Sequence, residues 1–277
     1  MSEQTYIAPR TALFMPASNA RAIEKARGLA VDMVVLDLED AVKAADKETA
    51  RAAAVEASGT FGARMVAIRV NAEDSDHFKD DLKAVKKSSA THVIVPKVET
   101  PEVIVTAGAY AKRPVLAMIE TPAGVMNVGP IASAEGWGYK IAGLIVGTND
   151  LAAGLRLPPG AGRASMATAL QLVVLAARGR EIWVLDGVFN ALDDPEGLEA
   201  ECLAGRALGF DGKSLIHPGQ LDIAARAFAA TEAEIADARD LIAAAGGGAE
   251  RHKDRMVEEM HVEQAKALLA REGVGTP

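Results

Sequence analysis

The chain has 277 residues, 49% hydrophobic and 25% charged, with 30 Lys and Arg against 38 Asp and Glu for a formal charge of −8. That composition supplies a sizeable core and excludes intrinsic disorder, while the acidic balance disfavours non-specific binding to nucleic acid or an anionic membrane. A single cysteine, Cys202, excludes an internal disulfide framework and a Cys-based zinc cluster, and is expected to pack as a small hydrophobe.

Short apolar runs rich in strand formers recur along the chain. In order they are Ala12–Met15, Met33–Leu38, Met65–Val70, His92–Pro96, Val115–Ile119, Gly143–Val146, Ile182–Leu185 and Ser214–Ile216. Most gaps between them are wide enough for a crossover helix. The gaps carry helix signals: Ser18-Asn19 can cap Arg21–Gly28, Asp46–Ala57 has a charged face, and Asp193–Leu208 opens on Asp-Asp-Pro and stops at Gly209. The strand runs are apolar almost throughout, which suits a parallel sheet covered on its outer face. Eight such units predict an α/β chain closed into a (β/α)8 barrel. The predicted barrel domain spans residues 1–245. Helices are expected at Leu221–Ala230 and Glu232–Ala245, followed by a flexible Gly246-Gly247-Gly248 joint and an amphipathic stretch, Met256–Ala270. Residues 246–277 then read as a C-terminal arm, a lid or an oligomer contact.

The longest uncharged runs, Thr121–Ala134 and Ala164–Ala177, have 14 residues each, short of the roughly 20 that span a bilayer. No basic region leads into the apolar run Thr11–Ala20. A cytoplasmic protein without a membrane segment or signal peptide is expected.

Barrel active sites lie at the C-terminal strand ends. There the sequence places Asp37, Glu39, Asp40, Arg69, Asn71, Lys97, Glu120, Asp150, Asp186 and His217. Converging carboxylates repel unless some protonate or a cation sits among them, and oxygen donors without thiolates point to Mg2+ or Mn2+. Glu120 and Asp150 are the best-placed metal ligands. Arg69 suits bidentate recognition of a substrate carboxylate, with an ion pair to Asp37 or Glu39 as the alternative. Lys97 invites Schiff-base chemistry, but the neighbouring acids would keep its amine charged. Arg21 and Lys25 on the first helix can reach a phosphate-bearing tail, although a surface helix face explains them equally. No GxGxxG follows the first strand, and no Walker loop or GxSxG elbow occurs.

Seven segments together are familiar. They are Leu13-Phe14-Met15-Pro16, Asp37-Leu38-Glu39-Asp40-Ala41-Val42, Arg69-Val70-Asn71, Pro96-Lys97, Ile119-Glu120-Thr121, Gly147-Thr148-Asn149-Asp150-Leu151 and Gly212-Lys213-Ser214-Leu215-Ile216-His217-Pro218. Over about residues 10–270 the chain resembles the citrate lyase β-subunit family within the HpcH/HpaI aldolase superfamily. The resemblance implies a (β/α)8 barrel with Mg2+ held by Glu120 and Asp150, and Arg69 on the oxo-acid carboxylate. It implies cleavage or formation of C–C bonds between acyl thioesters and 2-oxo acids such as those of citryl-, malyl- or citramalyl-CoA. It also implies a homotrimer or hexamer, and an arm that covers a neighbour's site. A free-acid aldolase and a β subunit dependent on an acyl carrier protein stand as alternatives. The family's Gly-x-Met-Val-Asp segment is replaced by Asp254-Arg255-Met256-Val257-Glu258, so the proton-carrying acid would be Glu258, one methylene longer. Catalytic roles are thus expected for Arg69, Asp37 and Glu258, substrate binding for Arg69 and Glu120, and CoA binding for Arg21 and Lys25.

Overall fold

A computed structural model describes residues 8–136, 138–244, 250–252 and 255–275. Its elements in chain order are β1 (Thr11–Pro16), α1 (Ala20–Ala26), β2 (Met33–Asp37), α2 (Lys47–Ser58), β3 (Met65–Arg69), α3 (Phe78–Lys87), β4 (His92–Val95), α4 (Pro101–Ala111) and β5 (Val115–Ile119). Then come α5 (Pro122–Met126), α6 (Val128–Ala132), β6 (Glu135–Gly136), β7 (Tyr139–Val146), α7 (Thr148–Gly154), α8 (Ala167–Arg178), β8 (Trp183–Asp186), α9 (Pro195–Leu208) and β9 (Gly212–Leu215). The chain continues with α10 (Leu221–Phe228), α11 (Glu232–Ala244), β10 (Glu250–His252), β11 (Arg255–Val257) and α12 (Glu259–Arg271).

The strands β1, β2, β3, β4, β5, β7, β8 and β9 are parallel and close on themselves, with β1 against β9 and β5 against β7. This is the expected (β/α)8 barrel, and each of the eight strand runs read from the sequence falls on one of its strands. β7 begins four residues ahead of the expected Gly143, because its first residues fold back antiparallel on β6. Among the described residues no helix is long and apolar enough to cross a membrane.

Local signals explain the helix ends. Asn19 Oδ1 accepts the Ala22 N–H at 3.0 Å and caps α1. Asp194 accepts the Gly197 N–H at 2.9 Å, Pro195 occupies the first turn of α9, and Gly209 ends that helix at φ +101°.

Successive side chains of a strand alternate between faces. Ala12, Met33, Val35, Ala67, Ile94, Leu116, Met118, Ile145, Trp183 and Leu185 pack together as one buried cluster inside the barrel. Continuing the same alternation places Phe14, Asp37, Arg69 and Glu120 at the upper end of the interior. The lower end holds Trp183, whose indole meets the His92 ring edge-on at 6.1 Å. Burial pushes the His92 imidazole down to about 4, so that it stays neutral in the core.

Two compact units divide the chain, Ala8–Ala227 and the segment from Phe228 onward. That boundary falls ahead of the glycine segment 246–248, which lies outside the described residues, as does Asp254. The second unit has its own core of Ala238, Leu241, Val257, Ala265 and Leu269. The amphipathic stretch Met256–Ala270 divides: Met256 and Val257 belong to β11, which pairs antiparallel with β10, and α12 starts at Glu259. Strand pairing with residues 250–252, together with burial of Val257, overrides the helical periodicity there.

Barrel closure depends on close approach at Gly212. A Cβ there would overlap the Pro9 and Arg10 carbonyl oxygens, and the Arg10 carbonyl accepts the Lys213 N–H at 3.0 Å. Gly212→Ala is expected to destabilise the barrel by about 1–3 kcal/mol. Urea unfolding measures this, and an unchanged midpoint would mean that the β1–β9 seam tolerates the methyl group.

Candidate active site at the C-terminal rim of the barrel

The strand ends surround a cavity of about 440 Å3 lined by, among others, Phe14, Asp37, Asp40, Arg69, Met118, Glu120, Gly147, Thr148, Asp150 and Ile216. Arg69 is one of the lining residues. Its Nε and Nη2 donate to the two oxygens of Asp37, each at 2.7 Å, and Nη1 is 2.8 Å from Glu39 Oε2. The guanidinium also lies 5.5 Å from the Phe14 ring centroid and near Met118 Sδ. Burial alone would weaken the Arg69 charge, but the hydrogen bonds and charges of Asp37, Glu39 and Glu120 hold it firmly protonated. The ion pair raised as an alternative for Arg69 is therefore present, and the same side chain still lines the cavity.

Asp37 is saturated. Besides Arg69 it accepts the Glu39 N–H at 2.9 Å and the Ala41 N–H at 3.2 Å, so it shapes the turn after β2 while it orients Arg69. Glu39 is 5% exposed, and burial raises its pKa despite Arg69 and Lys97. Its Oε2 is buried without an aligned donor. Lys97 sits in the left-handed region at φ +51° and donates through Nζ to Glu39 Oε1. Burial opposes its charge, but Glu39, Asp40 and Glu120 together raise its pKa. An amine held cationic in this way is unsuited to forming a Schiff base.

Glu120 directly follows β5 and is 2% exposed. Its Oε1 accepts the Lys97 N–H at 2.7 Å, and its carboxyl fills the space over Gly147, where a Cβ would collide with it. Burial, reinforced by the charges of Glu39 and Asp150, pushes the Glu120 pKa up to about 7. Asp150, in the first turn of α7, lines the same cavity and is half-buried.

Five carboxylates (Asp37, Glu39, Asp40, Glu120 and Asp150) thus meet two cations, Arg69 and Lys97. Among the described residues no cluster of three or more acids, histidines or cysteines could hold a metal. Glu120 and Asp150 instead offer two oxygen donors beside open cavity, a set that suits Mg2+, which keeps waters and takes substrate oxygens. The donor chemistry and the raised Glu120 pKa both fit a hard cation here.

A second cleft, of about 330 Å3, shares Phe14, Met15, Pro16 and Ile216 with the first. Arg21 and Lys25 line it from α1, with His217 and Pro218 opposite. The two expected tail-binding cations therefore open onto the site. Glu258, in contrast, is in the second unit: it precedes α12, its side chain is exposed, and its N–H donates to His261 Nδ1 at 3.0 Å.

One rim acid is displaced from its expected place. Asp186 has the opposite strand parity from the interior residue Leu185, faces the helix layer and is fully buried. There it pairs with Lys213 Nζ at 3.0 Å and Arg163 Nη2 at 2.8 Å, and Lys213 also reaches Glu201 at 2.7 Å. None of these four lines the main cavity. Sequence reasoning also missed Lys47, Arg51 and Asp81, which meet beneath the rim. The four-residue spacing of Lys47 and Arg51 on α2 puts both on one helix face, but nothing in the sequence names their partners.

Residues 10–218 match the family model described as HpcH/HpaI aldolase/citrate lyase. The chain is 40% identical over 272 residues to a (3S)-malyl-CoA thioesterase of Cereibacter sphaeroides, covering 95% of this chain and 94% of the relative. It is 30% identical to the citrate lyase subunit beta of Escherichia coli K12, covering 95% and 92%. A crystal structure of CitE from Mycobacterium tuberculosis in complex with magnesium, acetoacetate and coenzyme A superposes with a TM-score of 0.82. That protein is 30% identical, with 96% of this chain and 98% of the other covered.

The raised Glu120 pKa has a measurable consequence. The fold favours the protonated carboxyl, so this group's contribution to metal-free stability is full below the ordinary value of 4.5 and is lost as pH rises towards about 7. A divalent cation beside Glu120 displaces that proton. Calorimetric titration of the metal-free protein with Mg2+ at about pH 6, in buffers of different ionisation enthalpy, is expected to show release of close to one proton. The release should fade by about pH 8.5, well above the folded pKa. Binding without proton release at the lower pH would separate Glu120 from the metal.

Proposed function

The chain belongs to the HpcH/HpaI aldolase/citrate lyase family, and from that premise we propose a Mg2+-dependent retro-Claisen cleavage of a 3-hydroxyacyl thioester to an acyl thioester and a 2-oxo acid. Citryl-, malyl- and citramalyl-CoA are the candidate substrates. The observation that carries this reading is the juxtaposition, in one cavity, of the buried Arg69 with the carboxylates Glu120 and Asp150.

Glu120 and Asp150 would hold the metal. When bound, Mg2+ supplies Lewis-acid stabilisation of negative charge on the substrate's hydroxyl and carboxylate oxygens. Arg69 receives the carboxylate of the oxo-acid half, and Asp37 orients the Arg69 fork. The hydroxyl proton passes to water, the C–O bond becomes the carbonyl of the 2-oxo acid, and the C–C bond breaks with its electrons on the thioester enolate. An acid then protonates the enolate carbon. Glu258 is the candidate for that acid, supplied by the arm of a second copy in a trimer or hexamer. Arg21 and Lys25 provide cationic walls for the phosphates of the thioester tail.

A second reading is favoured by sequence identity. Relatives named (3S)-malyl-CoA thioesterase are 39–40% identical to this chain, against 30% for the Escherichia coli citrate lyase subunit. In that reading water attacks the thioester carbonyl and the C–C bond survives. A citrate lyase β subunit working with an acyl carrier protein is a third reading, supported by the subunit names of several relatives.

Incubation of the purified chain with each thioester and Mg2+ separates these readings. The lyase yields a 2-oxo acid and leaves the thioester bond intact, whereas hydrolysis yields free CoA thiol and no oxo acid. EDTA and Asp150→Asn are expected to abolish either activity, and turnover by a folded Asp150→Asn protein would reject the metal assignment. No turnover of any CoA thioester by folded, metal-binding protein would favour the carrier-dependent subunit.

Arg69→Ala is expected to raise KM and lower kcat together, with kcat/KM falling by at least about a hundredfold. Steady-state kinetics on the preferred thioester decide this. A change confined to the unfolding midpoint would leave Arg69 a structural ion-pair partner.

A further inference from the structure

Behind the site, a chain of buried and half-buried polar side chains ends on the turn after β2. Asp37 closes β2, and the turn that follows it carries Glu39 and Asp40. The Leu38 and Glu39 carbonyls are each met by Lys47 Nζ at 2.7 Å. The third Lys47 proton goes to Asn71 Oδ1, also at 2.7 Å, so the ammonium spends all three donors at this one place. Asn71 is 5% exposed, and its Nδ2 and backbone N–H both donate to Asp81 Oδ2, at 2.6 and 2.9 Å. Asp81 is fully buried and takes Arg51 Nε at 2.7 Å on its other oxygen.

The order of this chain is chemically determined. Lys47 can only donate and an ionised Asp81 can only accept, so the group between them must accept on one side and donate on the other. A neutral side-chain amide does both, and a carboxylate at position 71 would face Asp81 with like charge. The chain links α2, the end of β3 and α3 to the turn after β2. Arg69, two residues before Asn71, is held by Asp37 at the end of β2 and by Glu39 of the turn that follows. The segments at the ends of β2 and β3 are therefore pinned twice: once by Arg69 and once by Lys47 and Asn71.

We propose that Lys47, acting through Asn71 and the Leu38 and Glu39 carbonyls, is the positioning residue that fixes the Arg69–Asp37–Glu39 cluster for recognition of a 2-oxo-acid carboxylate. Lys47 does not line the cavity. This inference rests on the proposed binding of a 2-oxo acid at Arg69. Lys47 sets the register and rigidity of the turn, so its removal weakens the acid subsite and leaves the Glu120–Asp150 pair on β5 and α7 intact.

The test measures pyruvate and oxaloacetate affinity of the Mg2+-loaded protein by calorimetry, alongside Mg2+ affinity alone. Lys47→Met is expected to weaken oxo-acid binding by about 10–100-fold, the usual range for loss of a supporting hydrogen-bond partner, with Mg2+ affinity changed by less than about threefold. Lys47→Cys treated with 2-bromoethylamine regains an isosteric ammonium, and Cys202, the sole other cysteine, is fully buried. Aminoethylation is expected to restore oxo-acid affinity. Lys47→Gln, which keeps an amide donor but loses the charge, replaces Lys47→Met should the latter fail to fold.

Wild-type oxo-acid affinity in Lys47→Met, equal loss of Mg2+ and acid affinity, or no recovery on aminoethylation would each overturn the proposal. A parallel measurement keeps it separate from the functional reading. Hydrogen exchange at the Glu39 and Ala41 amides, both bonded to Asp37, is expected to accelerate by at least about tenfold in Lys47→Met and Lys47→Cys, and to slow again when the latter is aminoethylated. If the wild-type protein binds no 2-oxo acid, the functional reading fails, and unchanged exchange at those amides overturns the role of Lys47 on its own.

Discussion

The Arg69–Asp37 pair is the interaction on which the rim depends. Both oxygens of Asp37 meet the same guanidinium while also accepting two turn amides, so the charge of one strand end organises the backbone of the next. Pairing a buried arginine with a bidentate carboxylate offsets desolvation that neither group would survive alone. Glu39 adds a second negative charge to the guanidinium, and Lys97 in turn neutralises Glu39. The substrate recognition proposed for Arg69 starts from a side chain already held in place by Asp37 and Glu39, which reduces the ordering cost of binding an anion.

The pleat of the strands decides which charges reach that cluster. Interior parity runs from Met33 and Val35 to Asp37, from Ala67 to Arg69, and from Leu116 and Met118 to Glu120. Asp186 and Lys213 carry the other parity and meet in the helix layer, where Arg163 and Glu201 complete a balanced buried quartet. Two sets of charged strand residues thus serve different ends in one barrel. The interior set is left with excess negative charge beside an open cavity, and the outer set is internally neutral. Glu120 bears the consequence, since its carboxyl is buried among acids and is held close to neutrality until a cation arrives.

Family membership narrows the chemistry without choosing the bond that breaks. The acids proposed to hold the metal and Arg69 suit stabilisation of charge on an oxo-acid fragment, and Arg21 and Lys25 line the second cleft proposed for a thioester tail. The difference between breaking a C–C bond and a C–S bond lies in where water and the proton-carrying acid stand. The second unit, with Glu258 ahead of α12, is where that choice is proposed to reside.

Much of this protein was legible in its residues. Apolar runs at βα spacing specify the eight strands because a strand covered on both faces has no solvated side to mark with polar residues. The rim acids, Arg69, Arg21 and Lys25 could be located because a barrel places strand ends together. Asn19, Asp194 and Gly209 mark helix ends through local backbone chemistry that acts within a few residues. Partner choice was not legible. Whether Arg69 meets Asp37 or solvent, whether Asp186 faces the cavity or Lys213, and whether Lys47 reaches the turn after β2 depend on register and strand parity over separations of tens of residues. Met256–Val257 became a strand for the same reason, since pairing with residues 250–252 outweighs a weak helical period. Local sequence determines the elements because propensity and capping are short-range; tertiary structure alone decides the charge pairs, because burial and distance exist only after the chain has closed.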